Sequence, residues 1–84
     1  MNTPPRKSSV FDCPATYQIV VRGLIDPTWA DRLENMIIYQ TTVKAGYPIT
    51  TLQGELRDQT ALAGVLNALY ELQLPVLSVM RLSI

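Results

Sequence analysis

Histidine is absent from the chain and cysteine occurs once, at Cys13. A lone thiol cannot close an internal disulfide, which fits a reducing, cytoplasmic compartment. Without imidazoles, and with seven scattered carboxylates, zinc, haem and iron–sulfur sites lack their usual ligands, so no metal or other cofactor is expected. The same gap removes the commonest general acid–base group. That work would fall to a carboxylate, Tyr or Lys of shifted pKa, and none stands out, so the chain reads as non-enzymatic with no catalytic residues. Cys13 has no His, Lys or helix start beside it to lower its pKa and reads as a bland, exposed thiol.

An excess of either charge is also missing, because seven basic residues balance seven acidic ones. No electrostatic footprint for phosphate backbones or anionic lipid is present, and neither nucleic acid nor membrane is expected as a partner. The most apolar stretch, Leu72 to Ile84, is interrupted by Gln73, Pro75, Ser78, Arg81 and Ser83 and is too short to span a bilayer. Nothing from Ser8 to Thr16 follows Arg6 and Lys7 with the apolar run of an export signal. Eighty-four residues make one small domain with modest burial. With disulfides and metals set aside, self-association is the remaining route to further burial, a dimer being the simplest case.

Residues 1–15 are rich in Pro, Ser, Thr and Asn and read as a flexible tail, in which Pro4, Pro5, Arg6 and Lys7 form at most a short docking segment. The domain follows over 16–84. Tyr17, Ile19 and Val21 alternate with Gln18, Val20 and Arg22 in a first strand running to about Ile25. Gly23 shares the face of Tyr17 and marks a bulge or a close approach. Asp26 and Pro27 supply a cap and a first helical residue, starting a short helix with Trp29 and Leu33 on one face that ends near Asn35. A second strand spans Met36 to Val43 and turns through Gly46 and Pro48 into a third, Ile49 to Leu56. Asp58 caps a helix whose Leu62, Val65, Leu66, Leu69 and Leu72 recur at helical spacing. Pro75 ends that helix, and Val76 to Ile84 forms a fourth strand.

The order βαββαβ predicts an α+β, ferredoxin-like sandwich, a four-stranded antiparallel sheet with two helices on one face. The expected core packs Trp29, Leu33, Leu62, Val65, Leu66 and Leu69 onto Tyr17, Ile19, Val21, Leu52, Leu56, Leu77 and Val79. Left over for the opposite face are Val20, one alternating set from Met36 to Tyr39 represented by Ile38, and Val76, Met80 and Leu82. So apolar an uncovered face points to a subunit interface. RNA-binding domains share this topology, but here the central strands lack the stacking aromatics.

The segments Tyr17-Gln-Ile-Val-Val-Arg-Gly-Leu, Asp26-Pro-Thr-Trp29-Ala-Asp, Thr51-Leu-Gln-Gly-Glu-Leu-Arg-Asp-Gln59-Thr-Ala-Leu-Ala-Gly64 and Leu74-Pro-Val-Leu-Ser-Val79 resemble a family of small uncharacterised bacterial proteins. The resemblance covers nearly everything after the tail and implies the ferredoxin-like fold, but no activity. Members of that family often carry Gly where Gln73 stands here, and an aromatic pair after the Trp. The two functional readings are therefore a protein-interaction or oligomerisation module and a small-ligand-sensing regulatory domain similar to ACT or PII-like modules. In the second, Gly23 with the Arg57, Asp58 and Gln59 turn is the candidate ligand site.

Overall fold

The computed structural model describes residues 14–82. Most of the expected tail, with Cys13 and the Pro4 to Lys7 segment, lies outside the described residues, and Ala15 already belongs to the first strand. Strict alternation along β1 (Ala15–Arg22) buries Ala15, Tyr17, Ile19 and Val21. β1 pairs over its full length with β3 (Tyr47–Leu56), setting Ala15 opposite Leu56 and Ile19 opposite Leu52. β2 (Ile37–Lys44) adds to the far side of β3 and β4 (Val76–Arg81) to the far side of β1. The sheet order is β2-β3-β1-β4, with every pair antiparallel.

Two helices lie on the face of Ile19 and Leu52. The first, η1 (Pro27–Leu33), is a 3-10 helix of seven residues, capped by Asp26 and opened by Pro27. Glu34 and Asn35 both adopt left-handed conformations, and both Asn35 and Glu34 donate their backbone N–H to the Ala30 carbonyl. Two such residues in succession end the helix before a longer α-helical ladder builds, so the short 3-10 form replaces the regular helix expected to about Asn35. The second, α1 (Gln59–Glu71), has the expected Asp58 cap, whose Oδ1 accepts from the Ala61 N–H at 2.8 Å. Its deepest residues are Ala61, Val65, Ala68 and Leu69, while Leu62 and Leu66 flank the core half-buried. The stripe is thus rotated from the all-leucine stripe of the sequence toward its two alanines, which lets the helix sit close to the sheet.

The result is an α+β domain with a four-stranded antiparallel sheet and two helices, compatible with a ferredoxin-like arrangement; the short 3-10 helix is its departure. Among the described residues, no helix is long and apolar enough to cross a membrane.

The exit from α1 places a left-handed backbone at Gln73. Gln73 donates to the Tyr70 carbonyl and Leu74 to that of Leu69, the paired bonds of a Schellman cap. That cap requires a left-handed residue at Gln73, whose φ is 61°. A side chain in this region costs about 1–2 kcal/mol, partly offset in Gly by its larger loss of backbone entropy. Gln73→Gly is therefore expected to stabilise the domain by about 0.5–1 kcal/mol, which in a chain of this size raises Tm by a few degrees, on the order of 2–8 °C. Thermal denaturation checks this, and an unchanged or lowered Tm would refute the strain at Gln73.

Candidate functional site

The residues proposed for a ligand site do not meet. Gly23 follows the end of β1 and donates its N–H to the Pro48 carbonyl at 2.8 Å, whereas Arg57 to Gln59 follow Leu56 at the opposite end of β3. Nine residue steps along β3, from Pro48 beside Gly23 to Arg57, separate the two positions, about 30 Å at the ordinary rise of a strand. Each group also has structural work. A Cβ on Gly23 would lie 2.6 Å from the Leu74 side chain, and its φ of 130° suits only glycine. The Gly23 carbonyl accepts from Thr50 Oγ1 at 2.6 Å, satisfying a threonine that is wholly buried. Asp58 caps α1, Gln59 Nε2 donates to the Tyr17 hydroxyl at 2.8 Å, and Arg57 is exposed. The close approach foreseen at Gly23 is there; the shared site is not.

A different concavity lies where η1 stops short of β2. It has a volume of about 310 Å³ and is walled by Ile25, Leu33, Met36, Ile38 and Leu52, with Asp26 and Asn35 among its lining residues. Ile38 faces this side because it pairs with Leu52, whose side chain is fully buried under the helices. The Asp26 carboxyl is held below its ordinary 3.8, first by the Thr28 backbone N–H and then by the Thr28 hydroxyl, both donating to Oδ1. This groove was invisible in the sequence, because it exists only where a seven-residue helix leaves an edge strand uncovered.

The five candidate interface residues divide between the two faces. Val20, Met80 and Leu82 share the face away from the helices, Met80 standing opposite Gln18 and Leu82 donating its N–H to Thr16. Ile38 does not join them. Nor does Val76, because the register shifts at Leu77 and brings Val76 opposite Val21 on the helix side. A bulge of this kind adds one residue and flips the remainder of the strand, which strand alternation in the sequence cannot reveal. The middle of the outer face is also more polar than expected: Thr16, Gln18, Val20 and Arg22 of β1 face Glu55, Gln53, Thr51 and Ile49 of β3. Arg22 lies over the Tyr47 ring at 3.9 Å, closing one end.

Exposed apolar side chains lie instead on the two edge strands, Ile37, Tyr39 and Val43 on β2 and a denser row along β4. Val76, Leu77, Val79, Met80 and Leu82 are between 39% and 54% exposed, on both faces of the strand, including Leu77 and Val79 that were expected in the core. The backbone of this edge is defined by two bonds. Gly23 bonds to Pro48 across β1 and β3, and Leu82 to Thr16 across β4 and β1. Antiparallel alternation then turns the backbone groups of Tyr17, Ile19 and Val21 toward β3 and those of Thr16, Gln18 and Val20 toward β4. Met80, opposite Gln18, bonds inward, and Val79, opposite Ile19, directs its N–H and C=O out from the sheet edge.

The cap at Asp26 gives a pH test of the groove wall. A carboxylate held below its unfolded pKa stabilises the fold above that pKa, and the contribution disappears as pH falls through the lowered value. Asp26→Ala is expected to lower Tm at neutral pH, with the gap to the native chain closing as pH drops below about 4, near the ordinary carboxylate range. A gap of constant size across a pH series of melting curves would count against the cap.

No curated protein and no solved structure matches the chain. The model of a domain of unknown function, DUF8691, matches residues 16–80, nearly all of the sheet and both helices. The chain belongs to the DUF8691 family.

Proposed function

We propose that this domain is a non-enzymatic self-association module whose contact is built on β4 and the side chains beside it. The observation that carries the reading is the row of five half-exposed apolar residues on one sheet edge. Full burial of a Val, Leu or Met side chain is worth about 1.5–3 kcal/mol, so completing the burial of five half-exposed ones contributes about 4–7 kcal/mol per copy. Two copies gain about twice that, against an association cost of ~4–15 kcal/mol. The terms are of similar size, so the expected assembly is a concentration-dependent dimer rather than an obligate one. A ferredoxin-like fold goes with this reading and is supported by the two crossovers, since β1 to β2 passes over β3 and β3 to β4 passes over β1. A cytoplasmic setting, expected from the single cysteine, belongs to the same proposal.

Light scattering over a concentration series from micromolar to millimolar is the direct test. The apparent mass is expected to climb from that of one chain toward that of two. Met80→Lys with Leu82→Lys places two cations on the outer flank of β4 and is expected to hold the chain monomeric throughout with little change in Tm. Assembly that survives the double substitution would remove this flank from the interface.

A second reading, a small-ligand-sensing domain similar to ACT or PII-like modules, moves from the Gly23 and Arg57 to Gln59 positions to the groove beside η1. Its support is the apolar lining and a volume at the lower end of the ligand-site range. A thermal-shift panel of amino acids and nucleotides decides it, because a ligand raises stability only by binding the native state. Stabilisation that Ile38→Asp abolishes supports the groove, and a flat panel leaves the self-association module alone.

A further inference from the structure

We infer that two copies of this chain pair antiparallel through β4, with the two-fold axis beside Val79, to make one continuous eight-stranded sheet. The inference rests on the self-association proposed above and names its geometry. Val79 presents an outward N–H and C=O on a strand edge, and an antiparallel copy centred there exchanges both bonds between the two Val79 residues. The strand carries one charge, at Arg81, and no proline between Val76 and Arg81. Charge and proline, two of the features by which edges are ordinarily blunted, are thus scarce here, and the bulge at Leu77 precedes the regular run from Ser78 to Arg81. β2, the other edge, also exposes Ile37, Tyr39 and Val43, but Gln40, Thr41, Thr42 and Lys44 make half of its eight residues polar and its register shifts at Tyr39.

Charge and backbone together choose the register. Centring the axis on position 81 would set Arg81 against its own copy, and like charges directly opposite are destabilising. A centre on Leu77 would run the pairing into its own bulge and into Pro75, which has no N–H to donate. The centre at Val79 keeps the two Arg81 residues on opposite sides of the axis, about 13 Å apart along the strand. It also brings both flanks of β4 against the copy: Val76 and Val79 on the helix side, Met80 and Leu82 on the other. Two-fold symmetry makes such a contact self-complementary, so it closes at two copies and leaves β2 as the edge at each end.

Oxidative cross-linking tests the register on the full chain carrying Cys13→Ser, with a single cysteine introduced in turn as Leu77→Cys, Val79→Cys or Arg81→Cys. Across the axis the two residues at 79 lie about 5.5 Å apart between Cα atoms, within disulfide reach, whereas the pairs at 77 and 81 lie well beyond it. Val79→Cys is expected to give a disulfide-linked dimer at least roughly tenfold more abundant than the other two under mild oxidation. Val79→Pro supplies a second readout. It removes the outward N–H but no bond to β1, so loss of dimer in light scattering with an unchanged far-UV circular dichroism spectrum is expected. A native chain that stays monomeric up to millimolar concentration overturns both the self-association and this geometry. A native dimer in which Val79→Cys cross-links no better than its neighbours overturns the geometry alone, whatever Val79→Pro does to the fold.

Discussion

The domain has one long helix with which to cover a four-stranded sheet. α1 is thirteen residues long and shares the core with Ile19, Val21, Leu52 and Leu56, burying Ala61 and Ala68 there beside Val65 and Leu69. A helix is about 10 Å across with its side chains and neighbouring strands lie ~4.8 Å apart, so one helix shields about two strands. The second cover, η1, has only seven residues and buries Leu33 alone. The core is therefore narrow. Its best-buried side chains all come from β1, β3, α1, η1 and the segments beside η1, and both edge strands are left exposed along their whole length.

The ends of the central strands are tied by contacts that leave little freedom. At one end Gly23 lies beneath Leu74, bonds to Pro48 and accepts from buried Thr50, joining β1, β3 and the segment after α1. At the other, Gln59 bonds to the hydroxyl of buried Tyr17 at the start of α1. Arg32 and Glu71 form an ion pair at 2.8 Å between the two helices, but both side chains are solvent-exposed, and such pairs contribute about 0–1 kcal/mol. Orientation of α1 therefore comes from the two buried ends. The residues that looked most like a ligand site belong to this framework, which accounts for a glycine and a polar helix start without invoking a ligand.

How much of this was legible in the sequence depended on whether the signal was local. Of the expected apolar stripe of α1 only Val65 and Leu69 are fully buried, but the alternation from Tyr17 to Val21 and the two Asp caps, which are properties of consecutive residues, appear in the structure. So does the close approach at Gly23. The left-handed turn at Gln73 carries no local signal in this sequence, since a Gln ordinarily avoids positive φ. What escaped were consequences of register and cover. The bulge at Leu77 exchanges the faces of Val76, the shift at Tyr39 follows from pairing with β3, and the exposure of Leu77 and Val79 follows from the width of a single helix. None of these is encoded in periodicity. Each arises when two segments distant in sequence fail to match in length.

The two exposed edges are not equivalent, and that asymmetry gives the apolar surface a direction. β2 exposes Ile37, Tyr39 and Val43 but intersperses them with Gln40, Thr41, Thr42 and Lys44, and its register shifts at Tyr39. β4 is regular from Ser78 to Arg81 and carries hydrophobic side chains on both faces where a solvated edge favours charge. A narrow core leaves both edges bare for the same steric reason, yet β2 is the one in which half the residues are polar. The other has the composition of an inner strand and lacks only a neighbour. Supplying that neighbour from an identical chain satisfies the backbone row and buries the side chains in the same step, and it requires no surface that the fold does not already present.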